Sequence, residues 1–334
     1  MIDVLFLTYQ DYANTGWKFY RAARDIGLKC LALKGVIHPF YYPDQTTVHP
    51  DIAKAKQHNV MPIYKVESPG IKGIADSCRV IHFTSSTLMD IDGVDLNDHP
   101  VVVQHSGREY RVLNKEINDI YNQVSDATII QMPDLLGKGA RNEHLIYFPV
   151  DTDYIQPDYT RYGAPGVVFG HLPSQPEWKG TKDILKLARE MSETHPNFIW
   201  GSPKTYDDLT GGRIWYQNLE DLKWLDVLID TCSAEAYGHP YGEWGNTAFE
   251  AAAMGKIVIT NSHNIEKYKE NYGDCEFIIA NTIQEVEVAV EEILLWSGED
   301  IYQKRKRTRC WAKTNHSIQA TGRRLWNHVY RTMF

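Results

Sequence analysis

Long apolar runs are missing from this sequence. No window of about 18 apolar residues occurs, so no membrane-spanning helix is expected. The opening residues Met1 to Leu7 place no basic residue ahead of a long apolar stretch, so no secretory leader is expected either. Cysteine is scarce: Cys30, Cys78, Cys232, Cys275 and Cys310 are five, scattered, and never spaced Cys-x-x-Cys. That pattern points away from zinc ribbons and disulfide frameworks and implies reduced thiols in a cytoplasmic protein. Basic charge is also in short supply, with 35 Lys and Arg against 43 Asp and Glu and a formal net charge of −8. Nucleic-acid binders show a basic face, so this balance weighs against that class. The local exception is Lys304-Arg305-Lys306-Arg307-Thr308-Arg309, with Trp311 and Lys313 beyond it. It reads as a solvated helix face, or as a peripheral contact of 304–313 with a membrane surface or polyanion. No internal repeat is visible.

What is present is a chain of 334 residues, 43% hydrophobic, enough for two domains with separate cores. Val4 to Thr8 is a short apolar run that reads as a parallel strand, and Asn14 or Thr15 can cap the helix that runs to about Ile26. Gly27 ends that helix and Lys29 to Leu33 forms the next strand, the opening of a doubly wound sheet. The loop from Asp11 holds a single glycine, Gly16, so the dinucleotide fingerprint Gly-x-Gly-x-x-Gly is absent and a dehydrogenase is disfavoured. Residues 36–48, with Pro39 and Pro43, suggest an ordered loop. Val80 to Thr84, Val101 to Gln104 and Asp126 to Pro133 are further buried strands. The second of these ends in His105-Ser106-Gly107-Arg108-Glu109-Tyr110-Arg111, at the carboxyl edge where open α/β sheets bind ligands. Gln156 to Pro165 has the Pro and Gly content of a linker. The pattern then restarts with Gly166 to Pro173, Glu177-Trp178-Lys179-Gly180-Thr181 and an amphipathic helix to about Met191.

The chain is organised around Gly242-Glu243-Trp244-Gly245-Asn246-Thr247-Ala248-Phe249-Glu250 and the residues that follow to Thr260. Thr247 with Glu250 three places on is a capping-box pattern, so the helix is expected to open there. Gly255 suits the left-handed residue that ends it, and Ile257-Val258-Ile259 reads as a buried strand. A loop of small residues feeding a helix N-terminus is an anion site, with phosphate as its usual occupant.

Glu250-Ala251-Ala252-Ala253-Met254-Gly255-Lys256, with Asn246 before it, resembles the donor signature of group 1 (family 4-like) retaining glycosyltransferases of the GT-B fold. Lys179-Gly180 resembles the Lys-Gly pair of that family, and Pro149-Val150-Asp151 resembles its interdomain segment without the usual Gly. Two features depart from the pattern: His171 stands where the family has Arg, and its first Glu is matched only loosely, by Glu243 or by Glu235. The resemblance implies an α/β chain of two Rossmann-like doubly wound domains facing a central cleft. These would be an acceptor-side domain at 1–155, a donor domain at 166–315, and a last helix at 316–334 crossing back to the first.

On that resemblance the substrate is a nucleoside-diphosphate sugar, with no further cofactor and no metal. Lys179, with His171 if protonated, and the N–H groups of Gly242, Trp244, Gly245, Asn246 and Thr247 would face the diphosphate. Glu250 would take the ribose hydroxyls, unless it serves the capping box instead. Glu243 or Glu235 would read the sugar, and His105 would face it unless backbone satisfies it. Asn14, Thr15 and Gly16 would be donor-phosphate or acceptor contacts. The acceptor stays open between glycan, lipid, small molecule and modified nucleic acid. A non-catalytic nucleotide-sugar or sugar-binding module and a GT-B epimerase are the alternative functions.

Overall fold

The structure, a computed structural model, describes residues 1–43, 46–57, 63–201, 214–232, 235–236, 239–240 and 244–334, with Arg108 and the four residues of 235–240 described by backbone alone. The chain divides into two compact units, Met1–Pro149 with Ile318–Phe334, and Val150–Ser317. Both are Rossmann-like doubly wound α/β units.

The first unit is built on a parallel sheet of β1 (Ile2–Gln10), β2 (Cys30–Val36), β3 (Thr47–Val48), β4 (Cys78–Phe83), β5 (Val101–His105), β6 (Ala127–Ile130) and β7 (Glu143–Leu145). Its order is β7-β6-β5-β4-β1-β2-β3, so the winding reverses between β1 and β4. The apolar runs seen in the sequence become these strands because parallel strands are buried on both faces. Val4, Leu5 and Leu7 have no exposed surface. Within 36–48, expected to be all loop, Val36 ends β2 and Thr47–Val48 form β3, a two-residue edge on the sheet. A small sheet that periodicity did not suggest pairs 63–66 with 56–57 and 88–91.

Helix α1 (Thr15–Asp25) buries Phe19, Ala22 and Ala23 against the sheet. The last helix of the chain, Ile318–His328, packs on α1 in the same core through Ile318 and Leu325. Gly322 makes this approach possible: a Cβ there would stand 2.4 Å from the carbonyl oxygen of Ala22. Helix α2 (Gly107–Tyr121) follows β5.

The second unit carries β8 (Val167–Gly170), β9 (Phe198–Trp200), β10 (Val227–Ile229), β11 (Ile257–Thr260) and β12 (Ile278–Ile279), in the order β9-β8-β10-β11-β12. Here the winding reverses between β8 and β10. Its helices are α3 (Thr181–Thr194), α4 (Trp215–Lys223), α5 (Asn246–Ala253), α6 (Ile265–Tyr272), α7 (Ile283–Leu294) and α8 (Gly298–His316); Ile318–His328 is α9. Gly255, at φ +74°, ends α5 as expected.

Two expectations are corrected by packing. The capping box at Thr247 does not form: α5 opens at Asn246 behind Gly245, without a side-chain cap. Glu250 therefore lies a turn too deep to reach back. The basic run of 304–313 is a solvated face only in part: Lys306, Arg307 and Lys313 are exposed, while two of its arginines turn inward. Arg305 is buried and donates to the Gly255 and Asp158 carbonyls and to Asp226, while Arg309 donates to the carbonyls of Thr152, Ile155 and Ala253. These bonds also clamp residues 150–158, so the Pro- and Gly-rich stretch begins as packed structure and not as a free linker.

Candidate functional site

Open α/β sheets bind ligands beyond the carboxyl ends of their strands, where the winding reverses. In the second unit that point lies between β8 and β10, where the side chains of His171, Thr181, Lys179 and Asp230 gather. His171 follows β8. Its Nδ1 lies 2.7 Å from the Ile229 carbonyl, which can only accept, so Nδ1 carries the proton. Nε2 then accepts from the Thr181 hydroxyl at 2.8 Å. Burial, with the nearby Lys179 adding to it, lowers the His171 pKa to about 4 against a supporting bond from the Ile229 carbonyl and the Asp230 charge. The imidazole is a neutral strut between β8, β10 and α3. The phosphate cation suggested by its place in the sequence is not formed by this arrangement.

Lys179 closes the short 3-10 turn 176–178, and Gly180 turns the chain into α3 at φ +70°. A Cβ at Gly180 would stand 2.0 Å from the Cys232 carbonyl oxygen, so only glycine lets the turn reach the sheet edge. The buried Lys179 ammonium donates to Asp230 Oδ1 at 2.8 Å. The other oxygen of Asp230 accepts from Thr231 at 3.2 Å and from Thr260 at 3.4 Å. A Cβ built on Gly245 would lie 3.1 Å from Lys179 Nζ, so the ammonium stands at the start of α5. A fixed cation thus meets the positive end of a helix whose opening residues Asn246 and Thr247 are half-buried.

One turn into α5, the buried carboxylate of Glu250 accepts from the Trp215 indole N–H at 2.7 Å. Trp244 points the other way. Its indole is wholly buried, donates to the Asn261 carbonyl at 3.0 Å, and packs among Phe249, Tyr268, Phe277 and Trp311. Its side chain is core, so only its backbone is left for a ligand. Gly242 and Glu243 lie outside the described residues, as does the side chain of Glu235.

In the first unit the expected helix cap is a different residue. Asp11, not Asn14 or Thr15, caps α1: its carboxylate accepts from the N–H of Gly16 at 2.6 Å and of Trp17 at 2.9 Å. An internal anion already holds the site that a phosphate would use. The Thr15 hydroxyl donates to the Tyr12 carbonyl at 2.7 Å, and the Asn14 amide donates to the Pro43 carbonyl at 3.0 Å. His105 closes β5 and is buried, stacked on Tyr110 at 4.1 Å with Tyr121 at 5.4 Å, its Nδ1 3.4 Å from the Ser86 hydroxyl. Burial lowers its pKa to about 3, so it is neutral. The ring is packed between phenols and does not stand open at the sheet edge. Arg111, from the same segment, is buried and forks onto Asp134.

Lys179, Gly245, Asn246, Thr247 and Glu250 are therefore gathered on one unit, with His171 behind them. His105, Asn14, Thr15 and Gly16 belong to the other. Three partners were missed: Asp230 for Lys179, Trp215 for Glu250, and Asp11 for α1. Their signal is tertiary, apart from Asp11, whose place just before a helix start is an ordinary capping position.

No protein-family model and no curated protein matches this sequence. Solved structures do match in fold. The sucrose-phosphate synthase of Thermosynechococcus elongatus superposes with a TM-score of 0.62 at 12% identity, covering 100% of this chain and 99% of its own. HepE from Anabaena, solved with UDP and glucose, gives 0.62 at 11% identity over 98% of this chain and 99% of its own. A glycosyltransferase from Rickettsia africae gives 0.61 at 12% identity over 99% and 98%. Over its whole length this chain has the α/β fold of those glycosyltransferases.

Proposed function

We propose that this protein is a retaining glycosyltransferase that takes its sugar from a nucleoside-diphosphate sugar. The observation that carries this is the Lys179 ammonium standing beside Gly245 at the mouth of α5, at the switch point of the second sheet. The difficult part of the reaction is charge building up on the departing diphosphate. A preorganised ammonium and a helix N-terminus stabilise that charge without reorganisation. Asp230 holds Lys179 in place. Glu250, oriented by Trp215, accepts from the ribose diol, and Glu243 or Glu235 takes sugar hydroxyls. In the transfer the C1–O bond to phosphate breaks, the acceptor oxygen bonds to C1, and the departing phosphate oxygen takes the acceptor proton. The neutral His171 leaves the cationic role to Lys179. The scheme needs no metal.

The fold is shared with HepE, solved with UDP-glucose, so UDP is the first probe. Melting curves with UDP, GDP, ADP, TDP and CMP, each with and without Mg²⁺, test the donor site. A ligand at 100 times its Kd adds about 2.7 kcal/mol of stability, a shift of several degrees. One diphosphate is expected to raise the melting point without Mg²⁺, and Lys179→Ala to weaken that ligand by roughly tenfold or more, the loss of a charged hydrogen bond. No shift with any nucleotide sinks the proposal. Turnover of the matching sugar donor then separates an enzyme from a binding module.

A further inference from the structure

The turn that carries Lys179 is tied to the end of β10 by a direct bond and by a bridge through His171. Directly, the Cys232 N–H donates to the Lys179 carbonyl at 3.3 Å. The bridge is tighter: Thr181 donates to His171 Nε2 at 2.8 Å, and Nδ1 donates to the Ile229 carbonyl at 2.7 Å. Thr181 opens α3 just beyond Lys179 and Gly180, and Ile229 ends β10 immediately before Asp230. The bond from Lys179 to Asp230, at 2.8 Å, closes a ring of contacts. That ring runs from Lys179 along the chain to Thr181, across the imidazole to Ile229, and back through Asp230. Asp230 is fixed in turn by its own N–H, which donates to the Ile259 carbonyl of β11 at 2.9 Å.

A lysine stem keeps about 2 kcal/mol of rotamer freedom, so one ion pair does not by itself fix where the ammonium stands. The backbone beneath it must be held as well, and the neighbouring Gly180 brings no side chain to that task. His171 supplies the hold, since the residue is 1% exposed and both ring nitrogens are engaged. An aliphatic side chain could fill the same space and make neither bond. A buried imidazole is tolerated only because each nitrogen has a partner. Neither nitrogen is left to meet a ligand, so the ring acts on substrate only through what it holds. The diphosphate gains charge as the sugar departs, and a cation stabilises that gain best when it already stands in place.

We propose that His171 is a positioning residue for the leaving group, setting through Thr181 and Ile229 where the Lys179 ammonium stands. This rests on the glycosyltransferase function proposed above. The test uses His171→Phe, which keeps a ring and removes both bonds, and Thr181→Val, which removes one hydroxyl and keeps the shape. His171→Gln is the conservative variant, because a carboxamide also offers a donor and an acceptor. NMR of the lysine ammonium groups in the ligand-free full chain reports the site directly, with Lys179→Ala assigning the Lys179 signal. Affinity is measured for whichever of UDP, GDP, ADP and TDP raises the melting point, and for its sugar donor. His171→Phe and Thr181→Val are expected to shift or broaden the Lys179 signal and to weaken the free nucleotide severalfold, more than the sugar donor. His171→Gln should restore both readouts in part. In a Lys179→Ala background, His171→Phe should weaken the nucleotide no further, since coupled residues are not additive. A Lys179 signal unchanged in folded His171→Phe and Thr181→Val overturns the proposal and leaves the donor site standing. Equal losses from His171→Phe with and without Lys179 also overturn it, because the ring would then act independently of the ammonium. A Lys179 signal that follows His171, in protein that no nucleotide stabilises, overturns the donor function and the leaving-group role and keeps only the structural link.

Discussion

Lys179 and Glu250 each depend on one neighbour that shares no local sequence with them. Asp230 lies 51 residues from Lys179 and Trp215 lies 35 residues from Glu250, yet both pairs are buried hydrogen bonds below 3 Å. A buried carboxylate needs donors, because desolvation is not repaid otherwise. Trp215→Phe keeps the ring in the core and removes one donor from Glu250. It is expected to lower unfolding stability by about 1–3 kcal/mol in urea titrations, the penalty for a buried acceptor that loses a partner. If Glu250 holds the ribose, the same variant also weakens UDP, whereas a purely structural bond would leave UDP affinity unchanged.

At the scale of elements, close approach decides what the turns and helices can be. Gly180 combines a left-handed backbone with a carbonyl 2.0 Å from where a Cβ would go. Gly180→Ala is therefore expected to lose roughly 3 kcal/mol or more, read by chemical denaturation, since backbone and not a flexible side-chain end must move. Helix α8 shows how one amphipathic element can hide its charge. Arg305 joins Asp226, which also accepts from Arg161 and from the Val168 N–H, at the amino edge of the second sheet. Arg305→Leu removes one of the three donors of the buried Asp226 carboxylate and the guanidinium from the Gly255 carbonyl, and is expected to cost about 1–3 kcal/mol. Its neighbour Lys306 is exposed, so Lys306→Ala should stay within about 0.5 kcal/mol.

At the scale of the whole molecule, burial of neutral histidine sets the response to acid. His82 and His105 have pKa values lowered to about 3 and His171 to about 4, all chiefly by burial. The unfolded chain takes up these protons near pH 6.5 and the folded chain does not. Stability is therefore highest above that pH and falls as pH drops from 6.5 toward 4, by about 1.4 kcal/mol per pH unit for each histidine. Lys256 acts at the other end. Burial, with Arg305 adding to it, lowers its pKa to about 8, so stability gains as pH rises from 8 toward 10.5. Melting points measured from pH 5 to 9 should climb steeply on the acid side. His105→Phe should flatten that limb, and an unchanged slope would contradict the assignment.

The sequence by itself determined the elements and their class. Apolar runs such as Val4 to Leu7 and Ile257 to Ile259 must be buried on both faces, which only a covered parallel sheet allows, and Gly255 marks the end of α5 by its backbone freedom. Gly245 and Asn246 were legible as a helix start from the residues alone, whereas Lys179 and Glu250 were joined to them through the resemblance to the donor motifs of GT-B glycosyltransferases. Tertiary structure decided the rest, because hydrogen-bond partners follow from packing and not from spacing. It gave Glu250 to Trp215 in place of the Thr247 cap, turned Trp244 into the aromatic core, and satisfied both nitrogens of His171. It placed Asp11 on α1 and drew Arg305 and Arg309 out of a run that looked like open basic surface. Each of these side chains had more than one way to be satisfied locally, and burial selected among them.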